Sequence, residues 1–410
     1  MNSSILLKSN PKFAGTVGQL PSSKSFSNRA LILNALAGNR STVSNLSVAR
    51  DTQLMQRLVS STDQVIDVMD AGTTMRFLTA YFALTNQKKI LTGTDRMKQR
   101  PVRLLVDALR QIGAEIAYKG EEGFPPTETL GFQSQKADSI EMPGNVSSQY
   151  ISALMMMAPT LPKGLTIQLK GEIGSAPYIA MTASLMKLFG GKVDFGNGKV
   201  KISAGNYQPA SITVESDWSA ASYWFAFTAL AQEAKITLPN VSDKSLQGDR
   251  VATEIMEKLG VRSVFKNDSL ELTKTDSANH VTWDFKDCPD LAQTVLPVCA
   301  AKGITGEFTG LESLRIKETD RIAALQNELK KIGSELSEPA PGNWNLVPGQ
   351  IITLTVPIET YHDHRMAMGF APWATLTDVV IKSPEVVNKS YPGFWEDVKS
   401  LGFQITEQAN

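Results

Sequence analysis

The sequence predicts an α/β (α+β) protein of two similar domains, each built from three repeated units. Three observations lead there. The chain has 410 residues, more than one hydrophobic core usually serves, so two domains are expected. An amphipathic helix, a glycine and a short β-rich run recur together at a spacing of about 70 residues, the mark of an internal repeat. Six such phrases divide evenly into two sets of three, each phrase supplying helices and a small sheet.

In chain order the first copy, near residues 54–68, is shortened, with Ser60 and Ser61 standing where the glycine belongs. The second carries Leu105, Val106, Ala108, Leu109 and Ile112 into Gly113, followed by Ala114, Glu115 and Ile116. The phrase returns at residues 185–190, 255–260, 325–333 and 398–402, closing on Gly190, Gly260, Gly333 and Gly402. Each glycine stands where a helix end calls for a left-handed residue.

Other helices begin with polar clusters and then turn apolar. Lys24, Ser25, Ser27, Asn28 and Arg29 open one whose stripe is Phe26, Ala30, Leu33 and Ala37, ended by Gly38. Ser25 and Arg29, four apart, share a face. Asp70 to Arg76 opens a second, with stripe Met75, Leu78, Thr79 and Phe82; Ser147, Ser148 and Gln149 open a third, stopped by Pro159. Ser175 and Pro177 open a fourth, proline being tolerated in a first turn. Later, Pro289 with Asp290, Lys317 to Arg321, and His362 to Arg365 each precede an apolar run. Unpaired amides and the helix dipole make such ends binding sites for phosphate and carboxylate. Ser, Thr and Asp there also serve as plain caps. Lys24, Lys317, Arg321 and Arg365 oppose the dipole, which points to an anionic ligand that offsets them.

Composition narrows the function. With 41 basic and 41 acidic residues the net charge is zero, unlike a nucleic-acid binder. Residues 1–10 lack the pattern of a signal peptide, and no apolar run is long enough to span a bilayer. Two cysteines, Cys288 and Cys299, are too few for a disulfide framework. The reading is a cytoplasmic protein with reduced thiols. Neither of the two glycine-rich nucleotide signatures occurs. Three histidines at these spacings make no zinc site. Small phosphorylated metabolites remain, with no metal and no cofactor required.

At these residues the chain resembles the EPSP synthase (3-phosphoshikimate 1-carboxyvinyltransferase) family of enolpyruvyl transferases. The matching stretches are residues 24–31, 72–76, 91–101, 147–150, 317–321, 363–368 and 389–392, in family order. The resemblance implies two domains of three βαβαββ-type units, an inside-out α/β barrel arrangement with the active site in the cleft between them. One domain would span 13–215 and the other 1–12 plus 216–410. It further implies a monomer acting on shikimate 3-phosphate and phosphoenolpyruvate, with no nucleic acid or membrane as partner. By the same resemblance Ser25 and Arg29 hold the shikimate carboxylate side, while Ser147, Ser148 and Ser175 take its phosphate. Gln149 lies between the ligands. Lys24, Gly72, Arg100, Arg321, Arg365 and Lys389 surround phosphoenolpyruvate, and Lys317 and Asp290 bind the ring hydroxyls. Asp290 is the expected base, Glu318 the proton shuttle, and Lys24 a third catalytic group.

Some positions depart from the family pattern. Asp70 stands where many relatives have Asn, Ser22 where Gly is common, Phe77 where Pro is common, and Ser313 where an Asn contacts shikimate. The short first unit implies a missing hairpin away from the ligands. Gly72 leaves room for the inhibitor glyphosate. The sister transferase acting on UDP-N-acetylglucosamine uses a cysteine in its first-half domain, whereas both cysteines here come late. An RNA-end-processing relative would need a basic excess, and a non-catalytic paralogue would have no use for intact Asp290, Glu318, Arg321 and Arg365.

Overall fold

The structure, a computed structural model, describes residues 3–349 and 356–408 and divides into two compact units. A middle unit comprises Lys24–Ser47 and Asp51–Val214. A terminal unit comprises the described parts of Met1–Ser23, Val48–Arg50 and Glu215–Asn410. Each has its own core, running from Phe26 to Val214 in the middle unit and from Ile5 to Phe403 in the terminal one.

One sheet pattern occurs four times. In the middle unit Val65–Asp67 lies parallel to Lys89–Thr92, which pairs antiparallel with Thr127–Phe132, itself antiparallel to Ala114–Tyr118. Ser139–Pro143, Leu165–Lys170, Lys199–Ile202 and Val193–Gly196 repeat that order. The terminal unit has it in Lys12–Thr16, Glu233–Pro239, Ser269–Lys274 and Val261–Lys266. It has it again in His280–Asp284, Thr305–Thr309, Asn343–Val347 and Glu335–Ala340. A parallel pair requires a crossover, so the chain reads strand, helix, strand, helix, hairpin, except that in the third copy the whole middle unit is inserted between Lys12–Thr16 and Glu233–Pro239. The five glycines of the repeat all have positive φ, between 73° and 122°. At Gly113 a Cβ would also collide with the Ser134 carbonyl.

Two smaller sheets complete the units. Thr42–Ser44 pairs parallel with Ser211–Thr213, and the following helix Arg50–Val59 leads to Val65–Asp67 without a hairpin, as the shortened first phrase foretold. In the terminal unit Ser4–Leu7 lies between Val379–Lys382 and Ile405–Gln408.

The chain passes between units later than the sequence reading placed it. Phe13 was expected to begin the first domain, yet Lys12–Thr16 pairs with Glu233–Pro239, so the terminal unit keeps the chain through Ser23. A pairing so distant in sequence leaves no local signal.

The site-bearing helices are α1 (Lys24–Leu36), α2 (Gly72–Leu84), α3 (Ser148–Met157) and α4 (Ala176–Leu188) in the middle unit. Those of the terminal unit are α5 (Trp218–Leu230), α6 (Ala292–Lys302), α7 (Arg321–Lys330) and α8 (His364–Phe370). Within the middle unit α3 packs on α2 and α4, and α1 on the same two; within the terminal unit α6 packs on α5 and α8. Helices α3, α5 and α8 are buried almost all round, which explains why they read as apolar on every face. The strands alternate buried and exposed residues, as Glu233–Pro239 does. Each unit therefore buries some of its helices fully, while others such as Arg50–Val59 and Arg103–Ile112 keep one face exposed, and the sheets turn one face outward. Among the described residues no helix is long and apolar enough to cross a membrane.

Candidate active site

In the terminal unit the later polar residues converge on one guanidinium. Arg321 opens α7, whose first turn is capped by Asp320 accepting from the Ala323 amide at 3.1 Å. Its side chain is 2% exposed, and each nitrogen meets a carboxylate. Nε donates to Asp363 Oδ2 at 2.7 Å, Nη1 to Asp290 Oδ1 at 2.9 Å, and Nη2 to Glu318 Oε2 at 2.9 Å. Asp290 sits in the 3₁₀ turn Pro289–Leu291 that leads into α6. It also accepts from Arg365 Nη2 at 2.9 Å and lies 3.8 Å from Lys317 Nζ. Lys389 Nζ is 3.7 Å from Glu318 Oε1.

These neighbours set the charges. Desolvation pushes the Asp290 carboxyl up, but Arg365, Lys317 and Arg321 outweigh it and hold the group well below the usual carboxylate range. Burial disfavours the Arg321 cation, yet Asp363, Glu318 and Asp290 raise it above the ordinary guanidinium value.

The segment before α8 is held against its own preference. Tyr361 and His362 have φ of 53° and 57°, and left-handed non-glycine residues cost on the order of 1–3 kcal/mol each. Helix α7 holds them at both ends. Arg321 grips Asp363, which caps α8 by accepting from the Arg365 amide at 2.9 Å. Further along, buried Glu328 accepts from the Tyr361 hydroxyl at 2.7 Å and the Glu359 amide at 3.2 Å.

Four helix starts carry the candidates of the middle unit. Arg29, 2% exposed, donates to Thr182 Oγ1 at 2.7 Å, Ser152 Oγ at 3.0 Å and the Ser25 carbonyl at 2.9 Å. Its guanidinium carbon lies 5.4 Å from the Phe77 ring centroid and 5.9 Å from that of Tyr178. Burial among these neutral groups pulls its pKa down to about 10. Lys24 pairs with Asp51 at 3.0 Å. Gly72 opens α2 with the Arg100 guanidinium lying against it, and the Arg100 Nε is buried without a hydrogen-bond partner among the described residues. Gln149 Nε2 donates to Thr73 Oγ1 at 2.9 Å, tying the start of α3 to that of α2. Ser147 caps α3, accepting from the Gln149 amide at 3.4 Å, and Ser148 is buried beside it. Ser175 precedes α4 in the left-handed region, with φ 56°.

The predicted residues thus fall into two groups. Asp290, Lys317, Glu318, Arg321, Arg365 and Lys389 cluster in the terminal unit. Lys24, Ser25, Arg29, Gly72, Ser147, Ser148, Gln149 and Ser175 stand in or beside the first turns of middle-unit helices, and Arg100 reaches Gly72 from the connection between Asp95–Lys98 and Arg103–Ile112. Two readings are corrected. The sequence suggests that basic residues at helix starts need a ligand to offset them, but carboxylates of the protein do so: Asp51 for Lys24, Asp290 for Lys317 and Arg365, and three acids for Arg321. Lys317 also opens no helix; it closes the 3₁₀ segment Glu312–Ile316 ahead of α7.

Sequence reasoning passed over Ser152, Thr182, Ser219, Tyr223, Asp249 and Asp363. Ser152 and Thr182 carried a signal, as hydroxyls on the buried face of apolar helices need partners. Asp363 carried another, as a cap-type residue standing directly before the apolar run of α8. Among the described residues no group of three or more His, Cys, Asp or Glu is arranged to hold a metal ion.

Comparison with known proteins bears on this geometry. A family model described as EPSP synthase (3-phosphoshikimate 1-carboxyvinyltransferase) matches residues 7–62 and 54–398. The 3-phosphoshikimate 1-carboxyvinyltransferase of Bacteroides fragilis is 46% identical over 391 residues, covering 94% of this chain and 95% of that one. The protein of the same name from Shewanella woodyi is 35% identical, covering 95% of this chain and 97% of its own. An EPSP synthase structure from Acinetobacter baumannii superposes with a TM-score of 0.77 at 21% identity over 100% of both chains, a likeness of fold.

Proposed function

This chain belongs to the EPSP synthase (3-phosphoshikimate 1-carboxyvinyltransferase) family, and we propose that the two groups of residues described above carry out that transfer together. The enzyme moves the enolpyruvyl group of phosphoenolpyruvate to the 5-hydroxyl of shikimate 3-phosphate and releases phosphate. The observation that carries the assignment of roles is the pairing of Asp290 and Glu318 on one buried guanidinium, Arg321, with Arg365, Lys317 and Lys389 around them. Two carboxylates among four cations supply both proton handling and anion binding.

The methylene carbon of phosphoenolpyruvate takes a proton, and cationic character develops at the neighbouring carbon. The 5-hydroxyl oxygen bonds to that carbon and loses its proton. Loss of a proton and of phosphate then restores the double bond. Glu318 is the proposed shuttle at the methylene carbon, with Lys389 as its neighbouring cation, and Lys24 is the proposed third catalytic group. Asp290 is the proposed base. Its carboxyl, held well below the usual range, is a weak base at rest. Two effects strengthen it during the reaction. The hydroxyl proton becomes acidic as oxygen joins the cationic carbon, and substrate anions draw Arg321 and Arg365 away from Asp290.

Phosphoenolpyruvate brings a phosphate of about −1.5 to −2 charge and a carboxylate. Arg100, Arg321, Arg365 and Lys389 answer these, with the Gly72 backbone in close approach; glyphosate would compete there. Arg29, a buried cation among neutral partners, suits the shikimate carboxylate together with Ser25. Ser147, Ser148 and Ser175 suit the phosphate of shikimate, Gln149 the space between the ligands, and Lys317 a ring hydroxyl. A single chain is the proposed catalytic unit, and the cytoplasm its place, since such charged substrates do not cross bilayers unaided.

The test is phosphate release from phosphoenolpyruvate with shikimate 3-phosphate as acceptor, against UDP-N-acetylglucosamine as control. Turnover with the first alone supports the reading. Asp290→Asn and Glu318→Gln should each lower kcat by roughly 10²–10⁴ while binding is mostly kept. Near-normal turnover in either variant removes that residue from the mechanism.

A further inference from the structure

Two residues beside the terminal cluster have no role above, Ser219 and Asp249. Ser219 lies in the first turn of α5; Asp249 lies in the 3₁₀ turn Gly248–Val251 and is 1% exposed. A serine hydroxyl has one proton to give and lone pairs to receive with. Ser219 donates its proton to Asp249 Oδ2. The lone pairs of Ser219 Oγ are then left for Arg365, whose Nη2 is 3.4 Å away. That same Nη2 donates to Asp290 Oδ2 at 2.9 Å, and Nη1 donates to the Tyr223 hydroxyl at 3.2 Å. Three protein oxygens therefore fix the plane of this guanidinium, and Asp249 decides which way the serine faces.

We propose that Asp249 and Ser219 are positioning residues that orient Arg365 for the anionic group of phosphoenolpyruvate, acting through the hydrogen-bond chain Asp249–Ser219–Arg365 without touching substrate. This deepens the function proposed above and rests on it for the identity of the ligand.

The surroundings of Asp249 agree with such a role. Its Oδ1 is buried with no hydrogen-bond partner among the described residues, a costly arrangement for a carboxyl. The charged groups about it are Asp290, Arg365 and Asp217, the cap of α5, with the Cys288 thiol nearby. The adjoining helix Ala252–Lys258 carries Glu254 in its first turn. Burial and the charge of Asp290 push the carboxyl up to about 7, against the pull of Arg365 and Ser219. Groups so displaced gather at functional sites.

The experiment measures separate KM values for the two substrates, direct calorimetric binding of phosphoenolpyruvate with shikimate 3-phosphate present, and melting temperatures. The variants are Ser219→Ala, Ser219→Thr and Asp249→Asn. Ser219→Ala is expected to raise the KM and Kd for phosphoenolpyruvate roughly three- to tenfold, with the KM for shikimate 3-phosphate within about twofold. Ser219→Thr keeps the hydroxyl and should restore most of the loss. Asp249→Asn should match the parent at pH 6 and depart from it at pH 8, where the parent carboxyl is ionised; comparison at equal pH cancels the titration of the ligand. Melting temperature gives an independent reading of the same carboxyl. An acid whose folded value lies above its unfolded one destabilises the fold as pH rises through the folded value. Asp249→Asn should therefore gain on the parent between pH 6 and pH 8. The proposal is overturned if Ser219→Ala leaves phosphoenolpyruvate binding within twofold, or if both KM values rise together. If the parent protein itself fails to bind phosphoenolpyruvate, the function proposed above falls first and takes this inference with it.

Discussion

Arg100 rests directly against Gly72: a Cβ built on the glycine would lie 2.5 Å from Arg100 Nη2 and 2.8 Å from Nη1. The obstacle is the far end of a flexible side chain, so an added methyl moves the guanidinium and leaves the backbone alone. Gly72→Ala is therefore expected to fold normally, with a melting temperature within about 2 °C of the parent, alanine being the better helix residue. Displacing Arg100 should raise the KM for phosphoenolpyruvate about tenfold. A KM unchanged from the parent would mean that Arg100 does not hold this ligand.

Arg29 leads to an expectation of opposite signs for stability and activity. It is buried with hydroxyls, a carbonyl and two ring faces as partners, so its charge is costly to the fold. Ser152 and Thr182 also bond each other at 2.8 Å, so removing the guanidinium strands neither. Arg29→Met should be as stable as the parent or more so, by up to about 1–3 kcal/mol. Turnover with shikimate 3-phosphate should fall at least about 100-fold, because the cation is kept for a ligand. Denaturant midpoints and steady-state rates together decide it; a large loss of stability would make Arg29 structural.

What the sequence disclosed follows the range of the forces involved. Gly113, Gly190, Gly260, Gly333 and Gly402 were legible because a helix end needs a left-handed residue within a few positions, and all five have positive φ. The missing hairpin after Arg50–Val59 was legible as a simple deficit of residues. The crossing after Ser23 was hidden, because strand Lys12–Thr16 finds its partner more than two hundred residues on. The ion pairs were hidden likewise. Arg321 and Asp363 are 42 positions apart, and nothing local says that a cap of one helix will also hold the first residue of another. Asp249 and Ser219 read as an ordinary turn acid and a first-turn serine until the fold brings Arg365 beside them.

Asp290 should give the terminal unit an acid-labile element. Its folded carboxyl is held below its ordinary value, so the ionised form stabilises the fold above the unfolded value of about 3.9. That contribution fades as pH falls toward the folded value. Asp290→Asn is expected to be less stable than the parent at pH 6 by roughly 1–3 kcal/mol, the worth of charged hydrogen bonds. The two proteins should converge as pH is lowered from 5 to 3. A gap that stays constant over that range would show that the carboxylate is not stabilised by Arg321, Arg365 and Lys317.

Away from the active site, Lys274 and Lys302 both donate to the Ala229 carbonyl near the end of α5, and Lys302 also donates to the Leu259 carbonyl at 2.7 Å. Two ammonium groups cannot share one carbonyl without repulsion. Burial first, and then Lys274, bring the Lys302 amine down to about 7. The sign follows from proton counting. Between about pH 7 and pH 10.4 the unfolded chain holds a proton on this lysine that the folded chain has released, so stability rises with pH across that window. Lys302→Met removes the titration while keeping the apolar stem. The parent should therefore gain on the variant as pH rises from 7 to 9.5, read as the difference of their melting temperatures. A difference independent of pH would mean that Lys302 stays protonated in the fold and that Lys274 has moved away from it.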